Sequence, residues 1–198
     1  MKIVLATNNS HKINEIQQIF NKSFLNEVEV INPSTILEKP LEVDEIGLTL
    51  EENAYLKAIA LFSATGIASL SDDTGLEIEA LGNSPGVKSA RYSGENATDI
   101  DNRRKVLNEL TGTLNRLAQF RTVLCFYDGV RTIFSEGICK GEILLQERGE
   151  QGFGYDSIFK PSGLNKSFAE MPLHEKNLIS HRGLALKNMM SVFENYYK

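Results

Sequence analysis

Ile3 to Ala6 is an unbroken apolar run, so Lys2 to Thr7 reads as a short buried strand. The chain then turns polar from Asn8 to His11, and Ile13, Ile16 and Phe20 recur at helical spacing. The opening is therefore strand, loop, helix. Val28 to Asn32 predicts a second strand. Thr49-Leu-Glu-Glu52 has the spacing of a capping box, with Leu50, Ala54, Ala58 and Leu61 as one apolar face and Gly66 as a natural stop. Ile67 to Leu70 predicts a short strand, ending at Asp72 and Asp73. Thr98-Asp-Ile-Asp101 is a second capping box, opening a helix to about Leu110. Thr122 to Tyr127 and Arg131 to Ile138 read as strands joined around Asp128-Gly129. Leu184, Leu186, Met190 and Phe193 mark a last helix. Helices alternate with strands early and a hairpin comes late, which predicts a mixed α/β sheet flanked by helices.

Composition narrows this picture. The 198 residues fit one domain, 1–198, with room for two lobes and a sizeable core. Hydrophobic content of 41% and charged content of 24% are ordinary globular values. The formal net charge of −5 leaves no basic excess, which argues against a general polyanion binder such as a nucleic-acid protein. Phosphates would have to be met by a few placed lysines and arginines, helped by a metal. The apolar run at the start is too short for a signal peptide, and no run approaches the ~20 residues of a membrane span. Cys125 and Cys139 lie in apolar strand-like runs without metal-ligand spacing, and read as buried reduced thiols. The expectation is a cytoplasmic protein with no membrane partner.

Three stretches carry chemistry. In ATNNSHK, the polar loop precedes a helix start, where unpaired backbone N–H groups attract anions. Thr7, Asn9 and Ser10 add neutral donors and Lys12 adds a charge; the bland alternative is a helix cap with a surface lysine. The second stretch gathers carboxylates. Asp44 and Glu45 precede the second helix, and Asp72 and Asp73 follow the strand after it. Adjacent carboxylates repel and lose solvation. A magnesium ion, which takes one or two carboxylates plus substrate phosphates, would offset that repulsion; an Asp-rich turn before Gly75 is the alternative. Adjacent strand residues point to opposite faces, so Asp73 is expected to face the site and Asp72 to support it or face away. Lys57, one residue before Ala58 of the apolar face, either reaches phosphates or, by default, lies on a solvated face.

The third stretch is GFGYDSIF, with glycines around Phe153 and a carboxylate at Asp156. An exposed ring can stack on a nucleobase. A carboxylate only accepts hydrogen bonds, so Asp156 would favour a purine whose N1 carries hydrogen. Lys176 and Ser180-His181-Arg182 add cationic donors before the last helix, and Arg91 is a further phosphate or base candidate. A tight turn with core aromatics, and a packed or capping His181, are the structural alternatives.

Taken together, ATNNSHK with Glu15, EIGLTLEENAYLKA, SDDTGLEIEALGNSPGVKSARYSG, GFGYDSIF, FAEM and EKNLISHRGLAL stand in the order of one family. From Lys2 to about Lys187 the chain resembles the inosine triphosphate pyrophosphatases, which remove non-standard purine nucleoside triphosphates. The resemblance implies an elongated mixed β-sheet flanked by helices, with a central cleft between two lobes, and a homodimer. It implies that Thr7, Asn9 and Lys12 hold the triphosphate, with Asn8, Ser10 and His11 completing the loop. Asn8 and His11 depart from the glycine and small residue common there. Glu45 and Asp73 would bind Mg²⁺, Asp73 would serve as general base, and Thr74 would touch substrate. Phe153 would stack on the base, Gly154, Tyr155 and Asp156 would complete its pocket, and Lys176, His181 and Arg182 would read a 6-oxo purine. The implied reaction cleaves the α–β phosphoanhydride, with Asp73 positioning water and Lys12 and Lys176 stabilising charge. The rivals are a pyrophosphatase for pyrimidine or modified nucleotides, and a non-catalytic purine nucleotide sensor.

Overall fold

The apolar runs become strands where expected, but three of them run further than the pattern indicated. The computed structural model describes residues 1–21 and 28–196. In chain order the elements are β1 (Lys2–Leu5), α1 (Ser10–Asn21), β2 (Glu29–Ile31), α2 (Leu50–Thr65), β3 (Ser69–Ile78), β4 (Ser84–Gly86), α3 (Asp99–Glu109), β5 (Leu117–Tyr127), β6 (Thr132–Ile143), β7 (Phe159–Pro161), α4 (Leu173–Ile179) and α5 (His181–Tyr196). The strands pair in the order β2-β1-β3-β5-β6-β7, with β4 added to β3. β1 pairs parallel with both β2 and β3. β3–β4 and β6–β7 are antiparallel, so the sheet is mixed as expected.

Both capping boxes form. Thr49 accepts from the Glu52 backbone and Thr98 from the Asp101 backbone, while each acid reaches back to its cap. Gly66 closes α2 at φ 67, a left-handed conformation that glycine adopts without strain.

The extended strands have physical reasons. β3 does not stop at the aspartates; it carries them inside the strand. Its buried hydroxyls are satisfied by neighbouring backbone, Ser69 on Ala58 O and Ser71 on Ala54 O, which seats the strand against α2. β5 begins at Leu117 because Leu117 to Phe120 alternate exposed and buried positions through the polar Gln119. β6 runs on to Ile143 because Gly141, Glu142 and Ile143 pair with β7.

The chain divides into two compact units. The first comprises Met1–Asp73, Thr122–Gly137 and Arg182–Lys198, and its core packs Ile3, Leu5, Ile16, Leu70, Phe126 and Phe193. The second comprises Thr74–Arg121 and Ile138–His181, with Leu76, Val106, Phe120, Phe159 and Phe168 at its centre. β3, β5 and β6 each contribute residues to both. Cys125 and Cys139 are buried free thiols, as expected, and burial pushes them up to about 12 and about 11. No helix among the described residues is long and apolar enough to cross a membrane.

Candidate active site

In the first unit, the loop after β1 is organised by Asn9. Its Oδ1 accepts from the backbone N–H of His11 at 2.9 Å and of Lys12 at 3.3 Å, so it caps α1. Thr7 Oγ1 accepts from Asn9 N at 3.2 Å, and Asn8 Nδ2 donates to Leu41 O at 3.1 Å. Asn8, Asn9, Ser10 and His11 are exposed, and Thr7 is half-buried.

Lys12 turns from the first turn of α1 onto Asp72, with Nζ 2.9 Å from Oδ2. Arg182 donates to the same carboxylate through Nη2 at 3.0 Å and Nε at 3.2 Å, and its Nη1 contacts Glu15. Arg182, Asp72 and Glu15 are all buried. Burial alone would push the Asp72 carboxyl up, but Lys12, Arg182 and Lys57 hold it well below the usual carboxylate range. Arg182 in turn is held above its ordinary value, Glu15 and Asp72 outweighing the effect of burial.

Asp73, the next residue of β3, meets different partners. Lys57 Nζ on α2 lies 2.8 Å from Asp73 Oδ1 and 2.8 Å from Glu45 Oε1. Asn53, one turn earlier on α2, donates through Nδ2 to Asp73 Oδ2 at 3.3 Å, and its Oδ1 accepts from Gly47 N at 2.8 Å. Asn53 is fully buried. It thus ties Asp73 to the loop that carries Glu45. Burial raises the Asp73 carboxyl, Lys57 opposes this, and Glu45 adds to it. Strand geometry sends the paired aspartates to different direct partners, Asp72 to Lys12 and Arg182 and Asp73 to Lys57.

Two readings are corrected here, those of Lys57 and Arg182, while the choice left open between Asp44 and Glu45 falls to the expected Glu45. Lys57 is not on a solvated face; its side chain is 11% exposed and bridges two carboxylates. Glu45 rather than Asp44 turns towards Asp73, since Asp44 is exposed and Glu45 half-buried. Arg182, expected to read a base edge, instead has its guanidinium on Glu15 and Asp72. Asn53 escaped the sequence reading altogether; its signal was a polar residue directly before Ala54 of the apolar face.

A divalent cation suits this arrangement. Glu45 and Asp73, from separate elements, already close on one cationic nitrogen. No group of three or more His, Cys, Asp or Glu side chains gathers as a metal site among the described residues. Two carboxylates would suit an ion that takes few protein ligands and is completed by water and substrate oxygens.

In the second unit, the Gly152 to Asp156 loop is tight. Gly152 has φ 78, and a Cβ there would lie 2.0 Å from Asp156 Oδ2. That oxygen accepts from Phe153 N at 3.0 Å and from Lys176 Nζ at 2.7 Å. Asp156 and Lys176 are both buried, and Asp156 Oδ2 is taken up by the lysine and the loop. Lys176 Nζ also sits 5.3 Å from the centre of the half-buried Phe153 ring and 5.4 Å from that of Phe168. Tyr155 is a buried core residue whose hydroxyl donates to Ser89 O at 2.8 Å. His181 packs against Phe120, with ring centres 4.6 Å apart. Ser180 is buried, Thr74 is half-buried beside Asp73, and Arg91 ends a short 3-10 helix. The loop is braced from α3: Asp99 accepts from Gly154 N at 2.7 Å and Arg103 donates to Gly154 O at 2.9 Å. Neither residue stood out in the sequence.

The profile of the Ham1 family matches residues 3–192. The chain belongs to the Ham1 family. It is 43% identical over 207 residues to a dITP/XTP pyrophosphatase of Aquifex aeolicus, covering 100% of this chain and 99% of that one. The Ham1 protein of Staphylococcus aureus superposes with a TM-score of 0.86 at 40% identity, covering 100% of both chains. A HAM1 protein from Coxiella burnetii gives the same TM-score at 37% identity, over 98% of this chain and 99% of that one. The α/β fold expected from the resemblance is the Ham1 fold.

Proposed function

We propose that this Ham1-family chain is a nucleoside triphosphate pyrophosphatase that removes the non-standard purine nucleotides ITP, dITP and XTP, cleaving the α–β phosphoanhydride to a monophosphate and pyrophosphate. The observation that carries the reading is the convergence of Glu45 and Asp73 on a single cation position, with Lys57 at 2.8 Å from each. The dITP/XTP pyrophosphatase name of its full-length relative supports the substrate class.

In this reading Glu45 and Asp73 hold Mg²⁺. When bound, the ion neutralises charge on the phosphate oxygens and acidifies water. The chain's own residues do the rest. Asp73 accepts a hydrogen bond from the attacking water and positions it, serving as the general base to which its proton passes. Asn53 fixes Asp73 by holding its second oxygen. Lys12 has three donors and uses Asp72 as an anchor, leaving further N–H groups for phosphate oxygens. Asp72, clamped by Arg182, keeps that lysine in place and opposes the lowering that burial imposes on it. The exposed Asn8, Asn9, Ser10 and His11 with Thr7 line the loop that meets the triphosphate. Phe153 stacks on the base, and Lys176 and His181 serve as donors for a 6-oxo group. Asp156 acts at one remove, by fixing Lys176 and the Phe153 backbone. Thr74 would touch the substrate. The same reading includes a cytoplasmic homodimer acting on small-molecule nucleotides.

The test is incubation of purified protein with ITP, XTP, GTP, ATP and dUTP, with and without magnesium, and identification of both products. The expected result is magnesium-dependent release of IMP and pyrophosphate from ITP, with ATP and GTP largely spared. Orthophosphate as product would move the cut to another bond. Tight ITP binding without turnover would favour a nucleotide sensor.

A further inference from the structure

The ammonium of Lys57 stands at the point that the two carboxylates share. It is 2.8 Å from Glu45 Oε1 and 2.8 Å from Asp73 Oδ1, and its side chain is 11% exposed. Those same oxygens cannot serve a small divalent ion at that point while the ammonium stays, because magnesium needs oxygens at about 2.0–2.1 Å in a near-octahedral set and leaves no room for an ammonium nitrogen there. Nor would the carboxylates sit comfortably together without any cation, since like charges on a shared site repel. Lys57 carries its charge on a flexible four-carbon stem, so it can leave the point without moving α2. The rest of the local frame does not depend on it: Asn53 separately ties Asp73 to the Glu45 loop through Gly47 N.

We propose that Lys57 is a resident counter-ion of the Glu45–Asp73 pair, which keeps the carboxylates assembled before metal enters and which the entering metal must displace. The proposal rests on the reading of Glu45 and Asp73 as metal ligands. Its consequence is an order of events. Metal alone competes with Lys57 and binds weakly. Metal arriving with a triphosphate offers the displaced ammonium a new anionic partner, so nucleotide strengthens metal binding through this one side chain.

The probe is Mn²⁺, titrated by electron paramagnetic resonance against wild type, Lys57→Met and Lys57→Arg. It is used first alone and then with an α,β-methylene nucleotide analogue. Lys57→Met is expected to bind Mn²⁺ alone about tenfold tighter than wild type or more, because a positive charge leaves the site. Lys57→Arg, which keeps the charge and adds a fork suited to carboxylates, should bind Mn²⁺ alone no better than wild type. In EDTA, Lys57→Met should melt below wild type and gain more from added Mn²⁺. Lys57→Gln repeats the test if the methionine variant does not fold. Equal affinity for Mn²⁺ alone in all variants, or binding by all of them only with the analogue, would overturn the counter-ion role while leaving Glu45 and Asp73 as ligands. No Mn²⁺ binding by any variant in either arm would instead remove the metal-ligand reading itself.

Discussion

The two units bury charge in opposite ways. In the first, Glu15, Asp72, Asp73 and Arg182 are each 6% exposed or less, and Lys12 and Lys57 close the set. Carboxylates and cations alternate there, and the two carboxylates of β3 contact different cations directly. In the second, Asp156 and Lys176 form a buried pair walled by Phe153 and Phe168. Buried ion pairs are poor stabilisers, because desolvation cancels most of the attraction. Their presence is better explained by what they prepare. A mixed-sign network tolerates the arrival of more charge of both signs, as a metal and a triphosphate bring. In the proposed reading, a buried pair among rings suits an uncharged flat partner and a few directed hydrogen bonds, so that phosphate chemistry falls to the first unit and base recognition to the second.

The largest break in this comparison should come from Asp73→Asn. It keeps the shape and leaves the Lys57–Glu45 contact, but removes the carboxylate that positions water. Turnover at saturating magnesium, followed by pyrophosphate release, should fall roughly 10²- to 10⁴-fold. Near-normal turnover would make the first unit's network merely structural. Next comes stability. Arg182→Met strips the guanidinium from both Glu15 and Asp72 and should cost about 3–5 kcal/mol in urea unfolding. Lys176→Met leaves Asp156 with the Phe153 N–H and should cost less, about 1–3 kcal/mol. Equal costs would erase the distinction between network and pair.

How far these features could be read from the chain follows from their range. The capping boxes at Thr49 and Thr98 and the stop at Gly66 are local, and each formed where it was expected. That Asp44–Glu45 and Asp72–Asp73 come together was legible from their places before the second helix and after the strand that follows it; singling out Glu45 with Asp73 came from the family resemblance. What the pattern did not reveal was distant. A strand that carries two aspartates through its interior looks impossible until Arg182 is supplied, and that residue lies 110 positions from Asp72. Arg182 was read with its neighbour His181, yet the two fall in different units. Lys57 lay beside the apolar face of α2 and so resembled a surface residue. Asn53 shared that ambiguity; only the fold shows its amide joined to Gly47 and Asp73. Asp156 failed differently. Its acceptor chemistry was read correctly, but Lys176 takes it up within the same unit.

The finest test concerns Phe153, the one ring in the second unit's loop that is only half-buried. Its neighbours Tyr155, Phe159 and Phe168 belong to the core, and truncating them would cost stability and blur any effect on substrate. Phe153→Ala removes a face rather than a core ring, and its backbone N–H still donates to Asp156. Stacking is worth about 1–3 kcal/mol per base, so KM for ITP should rise roughly tenfold or more. If the ring contributes equally in ground and transition states, kcat should stay close to wild type. Phe153→Tyr, which restores a face, should recover most of the loss. A Phe153→Ala enzyme with unchanged KM would show that the second unit recognises its partner through Lys176 and His181 alone. The aromatic wall would then serve only to keep water from the buried ion pair.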